Sequence, residues 1–186
     1  MAGLLSSLLA MVGLATAPAA GKDPRPMADI YRKLREQALT ARPEALGLRP
    51  EPGRKVWGVV MDMGTANGVA SVVALKDGTV SLYFSGGGGI IGLGQHEGPR
   101  RAGEALIRAA QDYVSGATRT KEFPLPRAGR IRFFFLTFDG VFTSEAKEED
   151  LGERRLPLSA LFYKAQDVIT QARLQDEQRR KQSGGG

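Results

Sequence analysis

Between Lys55 and Ser85 apolar residues alternate with period two, and two short polar turns interrupt the run. Lys55 to Met63 sets Trp57, Val59, Met61 and Met63 on one face and Val56, Gly58 and Val60 on the other. Successive strand side chains point to opposite faces, so a run that is apolar on both predicts a strand inside a sheet. Asn67-Gly68 and Asp77-Gly78 bracket Val69 to Leu75, and both dipeptides accept the positive φ of a tight hairpin turn at little cost. Thr79 to Ser85 alternates again, with Val80, Leu82 and Phe84 expected inward and Thr79, Ser81, Tyr83 and Ser85 outward. The pattern predicts a three-stranded antiparallel meander.

Helical spacing flanks this meander. Met27 to Ala41 places Ile30, Tyr31, Leu34, Ala38 and Ala41 on one side and Arg32, Lys33, Arg35 and Glu36 on the other, and Pro43 stops it. After Gly94 a second helix is expected, with Pro99 in its first turn and a stripe of Ala102, Ala105, Leu106, Ala109 and Tyr113 that ends at Gly116. Thr118 to Gly129 reads as a loop. Arg130 to Phe138 is apolar on both faces, Ile131, Phe133 and Phe135 against Phe134, Leu136 and Phe138, which predicts a central strand. Asp139-Gly140 turns it into Val141 to Ala146, and an acidic loop, Lys147 to Glu153, leads on. Pro157 opens a last helix with the stripe Leu158, Leu161, Phe162, Ala165, Val168, Ile169 and Ala172.

The expected fold class is α+β: a single domain over residues 27–174 with a five-stranded, mainly antiparallel sheet, in the order helix, three strands, helix, two strands, helix. Residues 1–26 read as an apolar N-terminal extension and linker. Residues 175–186 read as a charged helix end, solvated or frayed, and a disordered glycine tail.

Composition narrows the chemistry. The 186 residues include no cysteine, which excludes disulfides, thiolate metal sites and a cysteine nucleophile. One histidine, His96, excludes a multi-histidine metal centre and argues against a Ser-His-Asp triad. The net charge of +6 is uneven: residues 96–132 hold eight positive and four negative side chains, whereas 139–155 hold three and six. Arg119, Lys121, Arg127, Arg130 and Arg132 therefore form a candidate nucleic-acid face, against the plainer reading of a solvated, arginine-rich surface without a long basic run. Met1 to Gly21 carries no charge. It is expected to be an extension of a cytoplasmic protein; an export signal or membrane anchor is the alternative.

Two motifs concern phosphate. Gly87, Gly89 and Gly92 match G-x-G-x-x-G within the run Gly86, Gly87, Gly88, Gly89, although the meander before them is not a βαβ unit. Arg100 and Arg101 open the following helix, where an anion is favoured by the helix dipole. Asp62-Met63-Gly64-Thr65-Ala66-Asn67, with Asp77-Gly78 downstream, resembles the first phosphate loop of actin-like ATPases. That resemblance implies a metal-water role for Asp62 and phosphate contacts for Gly64, Thr65 and Asn67, but no second D-x-G loop follows. The candidate anion site is thus Asp62, Gly64, Thr65, Asn67, Gly86, Gly87, Gly88, Gly89, Arg100 and Arg101. His96 beside Glu97 could serve as a base with an orienting carboxylate, yet no nucleophile is evident. Glu148, Glu149, Asp150 and Glu153 lack the spacing of a calcium loop.

The middle of the chain resembles a small bacterial family to which no activity is attached. The helix–sheet–helix layout is loosely similar to Roadblock and longin domains, dimerising adaptors in which the central helix follows two strands rather than three. No catalytic set, metal site or cofactor is read from the residues. The expectation is a non-enzymatic protein-interaction module or subunit of a larger assembly, bound to a protein partner or a second copy. The alternatives are a phosphate- or nucleotide-binding protein and a basic nucleic-acid-binding accessory protein.

Overall fold

The computed structural model describes residues 27–183. The expectations for the N-terminal extension and the glycine tail lie outside these residues. Helix α1 spans Asp29–Leu39; strands β1, β2, β3 and β4 span Val56–Thr65, Gly68–Leu75, Val80–Phe84 and Gly89–Ile90. Helix α2 follows at Glu97–Ala110, then β5 at Thr118–Thr120, β6 at Arg130–Thr137, β7 at Gly140–Lys147, α3 at Glu148–Gly152 and α4 at Ser159–Ser183. The seven strands form one sheet in the order β4-β3-β2-β1-β6-β7-β5, antiparallel at every junction. Among the described residues no helix is long and apolar enough to cross a membrane.

The α+β class and the antiparallel sheet follow the hydrophobic pattern; the count of five strands does not. Two short strands extend the sheet at its edges. The glycine run folds back so that Gly89 and Ile90 pair with Tyr83 and Leu82, and Thr118–Thr120 of the expected loop pairs with Val141–Thr143. Neither has the length or the alternation that marks a strand in sequence. The acidic loop likewise contains a helical turn, α3, because Leu151 is drawn fully into the core.

Both faces of the sheet are covered. Helices α2 and α4 pack on one face over Val59, Met61, Val72, Val80, Leu82, Ile131, Phe133 and Phe135. On the other face α1 lies over Val60, Val73, Tyr83, Phe134 and Leu136. This second layer explains why Ser81, Tyr83 and Ser85, expected outward, are buried, while Phe84 at the strand end is 42% exposed. The pattern along β6 is as read: Ile131, Phe133 and Phe135 face α2 and α4, and Phe134 and Leu136 face α1.

Strand β1 departs from strict alternation at its start. Val56 pairs with Thr137 but Gly58 pairs with Leu136, so Trp57 is an extra residue, a β-bulge. The bulge exchanges the faces of the first two residues. Trp57 joins Val60 on the α1 side and Val56 joins Val59 on the other. The indole Nε1 of Trp57 is buried there without a hydrogen-bond partner among the described residues.

Helix α2 buries Gly103, Leu106, Ile107 and Ala110, a stripe turned by about one residue from the expected one. Gly103 sets the approach: a Cβ there would stand 2.7 Å from Val80 Cγ2. Helix α4 buries Leu161, Phe162, Ala165, Val168 and Ala172 as the spacing predicts. Its end stays helical to Ser183 and is solvated from Glu177 to Gln182, and Asp176 pairs there with Arg179 and Arg180.

Candidate functional site: a polar rung across the sheet

Opposed residues on five strands form a single polar row on the α1 face. The register sets Tyr83 opposite Ser71, Ser71 opposite Asp62, Asp62 opposite Arg132, and Arg132 opposite Glu145. Directly opposed side chains on an antiparallel sheet lie close enough to interact, so the row is a continuous strip of polar atoms. It lies in an otherwise apolar layer that includes Val60, Val69, Val73, Phe134 and Leu136.

Asp62 is the centre of this row and is fully buried. Its Oδ2 accepts from Arg35 Nε at 2.9 Å and Nη2 at 2.6 Å, and its Oδ1 accepts from Ser71 Oγ at 2.5 Å. Ser71 Oγ lies 2.8 Å from the Tyr31 hydroxyl. The remaining Arg35 nitrogen, Nη1, donates to the Phe123 carbonyl at 3.0 Å, and the guanidinium lies 5.4 Å from the centre of the Phe134 ring. Tyr31 and Arg35 are one helical turn apart, so α1 presents both to the sheet together. A carboxylate in a dry layer is tenable only when paired and hydrogen-bonded, and α1 supplies that pairing.

The outer half of the row is also closed. Glu145 accepts from Arg130 Nε at 2.9 Å and from Arg132 Nε at 2.7 Å, and Arg132 Nη1 reaches the Pro124 carbonyl at 3.3 Å. Arg35 was expected on the solvent side of α1, yet it is only 8% exposed. The stripe of apolar residues alone put it outside. The signal that could have placed it was Asp62, a lone carboxylate in the middle of an apolar strand.

The residues predicted to contact an anion fall into two groups. The Gly64–Asn67 turn and the glycine run share one end of the sheet, joined by Ser85, which donates its N–H to the Val69 carbonyl and accepts the Val69 N–H at Oγ. Gly64 is pressed against the Pro126–Arg127 backbone: a Cβ there would stand 2.0 Å from the Arg127 carbonyl oxygen. Thr65 and Asn67 are exposed, and Thr65 Oγ1 donates to the Gly68 carbonyl at 3.1 Å. Gly86, Gly87, Gly88 and Gly89 make the turn from β3 to β4, with φ of +102°, +82° and +152° at the last three. Arg100 and Arg101 stand at the opposite end of the sheet, since the segment leading into α2 packs Gly94 on the Gly78 carbonyl of the other hairpin turn. They pair along the helix with Glu104 and Glu97.

Of the five basic residues considered for nucleic acid, Arg130 and Arg132 are joined to Glu145, while Arg119, Lys121 and Arg127 are exposed. His96 and Glu97 are exposed beside α4. Arg155 gathers Asp150 and Glu153 at the end of α3, and hydrogen bonding to Asp150 raises its already high pKa. Among the described residues no three His, Asp or Glu side chains come together to hold a metal ion.

The rung therefore works as a latch between layers. It fixes α1 over β1 and β2 by directional bonds that plain apolar packing would lack. Compared with models of known protein families, with curated proteins and with solved structures, the chain matches none.

Proposed function

We propose that the chain is a non-enzymatic protein-interaction module, a subunit that offers the open edge of its sheet to a strand of a partner protein or of a second copy. The observation that carries this reading is the edge at β7. Strand β5 pairs only with Val141–Thr143, so Ser144–Lys147 have no strand neighbour on that side. Six consecutive residues, Gly140–Glu145, are half-buried rather than exposed. Ladder bonds in an antiparallel pair alternate sides, and Glu148 N–H donates to the Gly129 carbonyl at 2.9 Å. The main-chain groups of Glu145 and Lys147 accordingly turn away from β6. An edge of this kind is a template for strand addition, and folds that stay alone generally blunt it. The closure of the charged rung supports the same reading, because it engages Asp62 within the fold.

Lys147 provides a clean test. Its φ of −71° matches the fixed φ of proline, so Lys147→Pro removes the outward N–H without forcing the backbone. Self-association or partner binding is expected to weaken about fivefold for the lost main-chain bond, with the thermal midpoint unchanged. Size-exclusion with light scattering reads the effect. A chain that stays monomeric at all concentrations, with no partner held by the β7 edge, overturns the proposal.

A further inference from the structure

Beside α1, over β2 and β3, a cleft of about 620 Å³ opens at the edge of the sheet far from β7. Leu34 and Ala38 form one wall, Val73, Ser81 and Tyr83 the floor, and Ile91 the lip. Clefts that hold small molecules fall in this size range and are mainly apolar with a few convergent polar groups. Here those groups are two hydroxyls. Ser81 is 1% exposed and Tyr83 is 6% exposed, and neither hydroxyl meets a hydrogen-bond partner among the described residues. Neither hydroxyl is sealed from the cleft's solvent, and neither is spent on the protein, so both can bond whatever fills the space. They are two residues apart on one strand and share a face, about 7 Å apart along it.

Two charged side chains, Arg100 and Asp77, stand around the cleft. Arg100 pairs with Glu104 at 3.0 Å, and Asp77 accepts the Thr79 N–H at 2.9 Å. No charged side chain lies in the floor. Ile91, 65% exposed, would be covered by an occupant.

We propose that this cleft binds a neutral, mainly apolar small molecule that presents a carbonyl or hydroxyl to Ser81 and Tyr83. The site is separate from the β7 edge and stands whether or not that edge binds a partner.

Nile red, neutral and carrying a ring carbonyl, is a suitable probe for fluorescence titration of the full chain. Saturable binding of one dye per chain with a blue-shifted emission is expected. Ser81→Ala and Tyr83→Phe should each weaken it about fivefold, the effect of one hydrogen bond. Ala41→Trp, which fills the cleft, should abolish it; Ile91→Trp, at an exposed position, should do the same should Ala41→Trp fail to fold. Decanol should displace the dye at least tenfold better than decanoate, whose charge finds no partner in the floor. Non-saturating fluorescence or indifference to both tryptophan variants overturns the site. Indifference to loss of both hydroxyls, or equal competition by decanoate, overturns the assigned ligand chemistry.

Discussion

Arg35→Met is expected to cost the fold about 3–5 kcal/mol in urea denaturation, far more than its place on an amphipathic surface helix would suggest. The loss comes from what remains. Asp62, with no exposure, would keep only the Ser71 hydroxyl. The same argument predicts the outcome of removing both charges. Arg35→Met combined with Asp62→Leu should recover most of the loss, because an apolar pair in place of a buried ion pair is commonly neutral or stabilising. A double-mutant cycle on the urea midpoints makes the comparison. Equal and additive losses in the two single variants and the double one would show that the two side chains do not act as a pair.

Gly64→Ala is the second large effect. The new methyl would meet the Arg127 carbonyl oxygen at 2.0 Å and the Pro126 carbonyl oxygen at 2.8 Å. Both belong to backbone, which is anchored there by the 2.8 Å bond from Gly129 N–H to the Gly64 carbonyl. No side chain can swing aside, so the variant should lose about 3 kcal/mol, the upper part of the range for overpacking a dense interior. Gly86→Ala is the control. Its Cβ would enter open space, so the change should stay within about 0.5 kcal/mol. Thermal or urea unfolding of the two proteins side by side reads the contrast. A tolerated Gly64→Ala would mean that the 126–129 segment stands off from β1.

Legibility followed the strength of local patterning. The long strands β1, β2 and β6 and the helix α4 were readable because each carries its own period: Phe133 and Phe135 against Phe134 and Leu136 is unambiguous without any knowledge of neighbours. The edge strands β4 and β5 were hidden because two or three residues have no period, and Gly89 became a strand only through its pairing with Tyr83. The bulge at Trp57 was invisible for a related reason. One inserted residue leaves the alternation intact on either side and shifts only the phase. Of the candidate anion site, the meeting of the Gly64–Asn67 turn with the glycine run follows from hairpin order. The separation of Arg100 and Arg101 from them does not, since it depends on where the segment from Ile91 to His96 carries the chain. Arg35 was misplaced because helical spacing sorts residues by polarity, whereas the burial of a cation is decided by a carboxylate elsewhere.

Helix α1 and the turn that follows it, with Phe123 and Leu125, shelter Trp57, Val60, Val73 and Phe134 from water. A truncated protein begun at Lys55 would keep every long strand of the sheet yet present a greasy slab with an unmatched acid at its middle. Such a fragment should precipitate or cling to chaperones. Anyone trimming this polypeptide for expression therefore has no freedom to discard its first described helix.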